Sequence, residues 1–416
     1  MKRGLSLLAA LAALALPSAA SSDLNTGPQT ILAILVTWGP QPFTTAELRT
    51  TLFDQANAYV KDVSFGEASL AGDVTPWLTV KQYGDCDPVT ISDMELAALN
   101  AAKAAGFDPT KYSRHFFAFP RPPACPFAGF GAGSEVWLFG TDSARVIQHE
   151  LGHTFGFGHA WSIACPTCKP VEYGDPYDEM GHGPGHYNAS EKAAAGWLTN
   201  LTVASANGDY TIDQLEQKST LPQALVVHTA VNDYWFDHRE PLLEDAVFAG
   251  SQIVQGAEVH ASPSPDDRNG MSPYLPGNVL ILNPVGAGGD AIRPGETFSQ
   301  PGAFSLTVLD RVGTHVDVRF RWTDEKPPGR PAVFSPLGLV RTPRLDIEWG
   351  RGAETGSGLA SYAVLLDGKL RKILPADAPR QLLLPKPKRG RHVVAVVAVD
   401  RAGNRSRPGL SRITVR

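Results

Sequence analysis

Residues 149–159 read His-Glu-Leu-Gly-His-Thr-Phe-Gly-Phe-Gly-His, and the spacing of the three histidines leaves few local folds open to the chain. On a helix, side chains four positions apart lie one turn apart on the same face, so His149 and His153 can aim at a common point. His159 comes six residues later and would point elsewhere if the helix ran on. The chain must therefore turn, and Gly156 can take the positive φ that a helix end requires. Three imidazoles gathered in this way supply the protein ligands of a tetrahedral zinc site whose fourth position stays open to water. Glu150 lies beside that site, placed to accept a proton from water attacking a carbonyl carbon, while zinc brings the pKa of water to about 7 and polarises the carbonyl. A closed structural zinc would call for a fourth protein ligand, often Cys, which the stretch does not offer. The expectation is one catalytic zinc on His149, His153 and His159 with Glu150 as general base. No D-x-[DN]-x-[DN]-G loop appears, so calcium is left open.

The rest of the chain must supply a scaffold for that helix. Its 416 residues correspond to two to four domains at roughly 100–200 residues each. Lys2 and Arg3, an apolar run from Leu5 to Leu16 and then Pro17-Ser-Ala-Ala20 read as a secretory signal peptide. No stretch reaches the roughly 18 apolar residues of a membrane span. Ile31 to Thr37 has the continuous apolar character of a strand covered on both faces. Thr44 with Glu47 opens a first helix whose face carries Leu48, Leu52 and Tyr59, and Ser92 with Glu95 opens a second that stops at Gly106. Strands are expected at His115–Phe119 and Glu135–Phe139, a third helix from about Ser143 to Gly156, and a fourth from Asn188 to Gly196. After residue 200 short strands with Gly and Pro between them replace the helices. The fold class is thus multidomain, an α/β catalytic domain followed by two all-β sandwich-type domains. The expected divisions are a signal peptide at 1–20, the catalytic domain at 21–200, a β-sandwich domain at 201–323, a linker at 324–335, and a fibronectin type III or immunoglobulin-like domain at 336–416.

The extended histidine motif, with Met180 in Tyr177-Asp-Glu-Met-Gly181 lying 21 residues after His159, resembles the metzincin zinc metalloproteases, whose signature joins this motif to a methionine turn. Glu172-Tyr-Gly-Asp175 before it, and His186-Tyr-Asn-Ala-Ser-Glu-Lys192 running on to Gly196-Trp-Leu198, are similar to the gametolysin-like peptidase family. The resemblance implies a zincin cleft with an upper sheet-and-helix lobe and a smaller lower lobe starting near Gly156. It implies Met180 as an apolar floor beneath the metal, and Glu135–Phe139 as the cleft edge to which an extended peptide adds. Several metzincins carry Tyr two residues after the methionine. Here that position is His182, either a hydrogen-bond donor to the oxyanion or a plain solvent-facing residue. His186 is expected to order the turn before the fourth helix rather than bind metal, and the charged and aromatic run Asp233–Glu240 to be structural.

Export permits disulfides. Cys86, Cys125, Cys165 and Cys168 allow three pairings, of which Cys86–Cys125 with Cys165–Cys168 is taken forward. From Lys326 to Arg416 there are 18 Lys and Arg against 6 Asp and Glu, in a chain whose formal charge is -5, so a basic module is attached to an acidic body. That module could bind anionic polymers or cell surfaces, or serve as a solvated spacer. No nucleic-acid partner is expected. With only about ten residues between Ala20 and the first strand, no pro-domain fits, and the enzyme is expected to be active once folded and metallated. Two readings follow: a secreted zinc endopeptidase acting on protein or peptide substrates, or an inactive surface- or matrix-binding protein on the same scaffold. Intact Glu150 and three intact ligands favour the first.

Overall fold

The apolar run after Gly27 is buried on both faces because it lies inside a sheet. In β1 (Gly27–Thr37), Ile31, Ala33 and Leu35 enter one core with Leu48, Leu52 and Leu151, whereas Leu32, Ile34 and Val36 enter another with Met94, Ala98 and Ala102. The computed structural model describes residues 25–164, 169–264, 278–282 and 291–416. The expected signal peptide and the Cys165–Cys168 pair lie outside the described residues. β1 runs parallel to β2 (Ala68–Val74), β3 (Leu78–Thr79) and β4 (Arg114–Phe119). β5 (Gly129–Ala132) and β6 (Glu135–Phe139) complete the sheet, β6 parallel to β4 and β5 antiparallel to β6, in the order β2-β1-β4-β6-β5. Glu135–Phe139, expected at the cleft edge, is therefore one place inside it. The true edge is Gly-Phe-Gly-Ala, a sequence with little strand character of its own.

The helices pack where amphipathic spacing places them. α1 (Thr45–Thr50) begins at Thr44 with both halves of the capping box formed, and it continues through a π-helical turn, Thr51–Ala56, into α2 (Asn57–Val63). α3 (Pro88–Ala104) starts four residues before the Ser92 expected to open it. Asp87 accepts the backbone N–H of Val89 and Thr90, and Pro88 fits the first turn, so this cap takes precedence over the weaker Ser92–Glu95 pattern. α4 (Ala144–Thr154) carries the first two histidines, and α5 (Ala189–Ala194) is capped by the Asn188 side chain on the Glu191 N–H. A Cys86–Cys125 disulfide, Cα atoms 5.4 Å apart, ties the α3 entry to the loop before β5.

Beyond α4 a second pair of sheets begins earlier than residue 201. β7 (Ala160–Ala164) and β8 (Lys169–Val171) follow His159 directly. They join β9 (Thr202–Val203), β11 (Ala224–His228), β12 (Asn232–Asp237), β13 (Glu258–Pro263) and β14 (Val279–Ile281) in the order β8-β7-β14-β13-β12-β11-β9. The link is β7 running parallel to β14, Ala160 opposite Val279. The facing sheet is β10 (Gly208–Asp213), β17 (His315–Trp322), β16 (Phe304–Val312) and β15 (Thr297–Gln300), and Val227, Tyr234, Phe236, Phe298, Phe304 and Phe320 fill the space between. Strands from the segment 21–200 thus complete a sheet of the segment 201–323.

The basic module is a two-sheet sandwich. One sheet holds β18 (Val333–Ser335), β20 (Arg344–Trp349) and β23 (Gln381–Pro385). The other holds β19 (Gly338–Val340), β25 (Gly409–Val415), β24 (Gly390–Asp400), β21 (Leu359–Leu366) and β22 (Lys369–Pro375). Leu345, Ile347, Trp349, Tyr362 and Val396 pack between them. Asp367 and Gly368 both take positive φ, 52° and 75°, as the tight hairpin from β21 to β22 needs. Among the described residues no helix is long and apolar enough to cross a membrane.

Candidate metal centre

α4 ends as the histidine spacing demands. After Thr154 the chain reverses at Gly156, φ 97°, with the Phe157 N–H bonded to the Gly152 carbonyl at 3.0 Å. The reversal brings His159 back to the pair on the helix. The rings of His149, His153 and His159 lie 4.9 to 5.5 Å apart, centre to centre, and one ligand atom from each lies within 4.8 Å of the others. Each ring is fixed by its Nδ1. That of His149 donates to the Glu179 carbonyl at 2.8 Å, that of His153 to the Phe157 carbonyl at 2.9 Å, and that of His159 to the Glu172 carboxylate at 2.7 Å. With the proton on Nδ1, the lone pair of each Nε2 is left for the common point. Burial pushes His149 down to about 4 and lowers His153 as well, which favours the neutral, ligating form. These residues fit a zinc ion on chemical grounds: three neutral imidazoles, each oriented by an acceptor behind it.

Glu172 is the carboxylate that orients His159, a role invisible in sequence because 13 residues and a strand separate the two. Replacing it with alanine is expected to weaken zinc binding about 10- to 100-fold, read by competition with a chelator of known affinity. Unchanged affinity would show that the Glu172 contact does not orient the ligand.

Glu150 shares the helix but not the cluster. It is 8% exposed, and burial pushes its carboxyl up to about 8, with the Gly131 backbone N–H pulling the other way. The edge strand lies directly on it. A Cβ on Gly129 would come within 2.7 Å of Glu150 Oε1, and one on Gly131 within 2.3 Å of the Glu150 carbonyl. The two glycines are what let β5 pass this close to the helix.

Met180 is fully buried beneath the helix. A Cβ on Gly152 would stand 2.2 Å from Met180 Sδ, so glycine in the motif makes room for the methionine. Asp178 holds the turn, accepting the Met180 N–H at 2.7 Å on one oxygen and both Asn188 donors on the other. His182 is exposed, and its Nδ1 donates to the Tyr173 carbonyl at 2.8 Å. Tyr173 itself, at φ 57°, sets its ring 4.0 Å from that of His159 and 5.6 Å from that of His149. Burial and the charges of Glu172 and Glu150 raise its phenol pKa. In the sequence Tyr173 carries no signal of a role beyond its place in Glu172-Tyr-Gly-Asp175. His186 is buried away from the cluster, accepting from Lys192 Nζ at 2.9 Å, and burial pushes it down to about 4.

His159 is also held from the second pair of sheets. The His159 N–H donates to Asn278 Oδ1 at 2.9 Å, and the Val279 N–H donates to the His159 carbonyl at 3.1 Å.

Residues 41–234 match the family model of the gametolysin peptidase M11, which supports a gametolysin-like metallopeptidase. No curated protein sequence matches the chain. Among solved structures, the chain is similar to fibronectin(III)-like modules of CbhA from Clostridium thermocellum, with 21% identity over 21% of this chain and 95% of that one, TM-score 0.18. It is also similar to the spore cortex lytic enzyme SleM of Clostridium perfringens, with 19% identity over 26% and 38% of the two chains, TM-score 0.19. Domains d3-d4 of rat CD45 share 10% identity over 28% and 66%, TM-score 0.20. The chain spans less than two thirds of the latter two. These overlaps are too slight to define the fold, which rests on the strand order described above.

Proposed function

We propose that the chain is a secreted zinc-dependent endopeptidase of the metzincin kind, similar to gametolysin, with His149, His153 and His159 as metal ligands, Glu150 as general base and Met180 in the methionine turn. The observation that carries this reading is the convergence of three imidazoles, each anchored through Nδ1, beside a buried carboxylate that is not one of them. A bound zinc ion supplies a Lewis acid that polarises the scissile carbonyl and acidifies water. Glu150 takes the proton from the attacking water and delivers it to the departing amine. β5 ends its sheet, so among the described residues peptide groups on its outer edge have no strand partner, and an extended substrate can add there by main-chain hydrogen bonds. Strand addition reads backbone rather than side chains, which suits a protein or peptide substrate. Zinc content per chain, with cleavage of an unfolded protein in the presence and absence of a chelator, tests the reading. A chain that holds zinc yet cleaves nothing would sink it.

We infer that Tyr173, whose ring lies against those of His159 and His149, stabilises negative charge developing on the carbonyl oxygen, and that His182 acts through it by holding its backbone. Tyr173→Phe is expected to lower kcat about 10²-fold with little change in KM and no change in zinc content. A variant with wild-type kcat would assign the ring to packing against His159 alone.

A further inference from the structure

Beneath the methionine turn, the run Asp233–Glu240 contributes to a second set of metal-type side chains, remote in sequence from the histidine motif. Asp237 closes β12, and Glu258 and His260 lie on β13, with Asp237 directly opposite Glu258 in the strand register. All three side chains are fully buried, and one ligand atom from each lies within 4.8 Å of the others. Every one of them is anchored through one atom and unpartnered at another. Asp237 Oδ2 accepts the Ala189 N–H at 2.9 Å, Glu258 Oε1 accepts from Arg239 Nε, and His260 Nε2 donates to Asp175 Oδ2 at 3.0 Å. That leaves Asp237 Oδ1, Glu258 Oε2 and His260 Nδ1 buried without a hydrogen-bond partner among the described residues. Buried polar atoms of this kind are rarely left alone, and three convergent ones call for a shared occupant.

We propose that Asp237, Glu258 and His260 hold a second divalent metal ion of the zinc or manganese type, which pins the methionine turn to the second pair of sheets. The donor set, one imidazole and two carboxylates, suits such an ion. His260 Nδ1 and Glu258 Oε2 stand 3.7 Å apart, too far for a good hydrogen bond and close to the separation of about 3.4 Å between two ligands on a tetrahedral ion. A carboxylate behind the ligating imidazole, here Asp175, is the usual outer partner of a metal-bound histidine. Asp175 also shapes the methionine turn, since its carbonyl accepts the His182 N–H at 2.9 Å and its N–H bonds to Ala160. Arg239, ion-paired to Glu258 and Asp245, offsets part of the surrounding negative charge, and an ion would offset more.

The test uses the full chain with His149→Ala and His153→Ala together, which removes the first site and leaves the second untouched. After equilibration with micromolar zinc or manganese and gel filtration, the folded double variant is expected to retain about one metal per chain, and the wild type about two. Its zinc X-ray absorption spectrum should show nitrogen and oxygen neighbours without sulfur, and adding Asp237→Asn should release the metal. A folded double variant that retains no metal overturns the proposal in favour of a buried water, and sulfur in the shell overturns it in favour of Cys165 and Cys168. Should the double variant fail to fold, the wild type decides: one metal per chain overturns the proposal, and two without sulfur at either site support it.

Discussion

Replacing Glu150 with glutamine is expected to slow cleavage of an unfolded protein about 10²- to 10⁴-fold while zinc per chain stays at the wild-type level. The separation of the two readouts follows from the geometry. Glu150 stands outside the cluster of imidazoles, so on the proposed reading its loss removes no ligand and takes away only the group that moves a proton. Glutamine keeps the size of the side chain, which matters because β5 passes directly over it at Gly129, where even an added Cβ would come within 2.7 Å of Glu150 Oε1. It also keeps an oxygen facing the Gly131 N–H, so β5 should remain in place. What glutamine cannot do is accept a proton from water. A chelator should abolish the wild-type rate and leave the residual rate of the variant at background. Near wild-type cleavage by Glu150→Gln would remove the general-base role, and loss of zinc would make Glu150 a ligand instead.

Legibility in the sequence followed distance along the chain. The two helical histidines could be placed because a four-residue spacing on a helix is a local fact, and the third because Gly156 marks a turn. The capping box at Thr44 and the two-faced burial of Ile31 to Val36 are local for the same reason. Asp87-Pro88 was equally local, but Ser92 with Glu95 gave a competing start four residues on. β5 escaped notice on physical grounds. Its glycines are there for closeness to α4, and what selects them is a helix that lies later in the chain. Glu172 and Tyr173 act on His159 only once β8 has paired with β7, and Asn278 only after β7 has been folded against β14, a contact spanning more than a hundred residues. No periodicity carries that information. The charged run Asp233–Glu240 read as structural, and Arg239 does lie wholly buried, paired with Asp245 and Glu258.

That same long-range contact sets the largest expected effect on folding. A chain ending at residue 200 is expected to yield a lower lobe without fixed structure and to lose zinc on gel filtration, whereas one ending at residue 323 should keep both. Truncation at 200 takes away β14, leaving β7 and β8 as a two-stranded ribbon, which is marginal in water. It removes Asn278 and Val279, and with them the two hydrogen bonds that anchor the His159 backbone. α5 fares no better. Its Ala189 N–H loses Asp237, its Lys192 ammonium loses the Leu215 carbonyl, and Ala189 and Leu198 lose their apolar contacts with Leu215 and Ala224. The His186 N–H loses Asp245 as well. Hydrogen bonds to charged groups contribute about 1.5–3 kcal/mol each, so losing several at once approaches the whole stability of a domain, about 5–15 kcal/mol. Near-UV circular dichroism and zinc content of the two truncations decide the matter. If residues 21–200 alone unfold cooperatively and hold zinc, the sheet crossing residue 200 is an accessory to the metal centre; if only the longer chain does, the centre and the second pair of sheets fold as one unit, because the third histidine has no fixed place until β14 arrives.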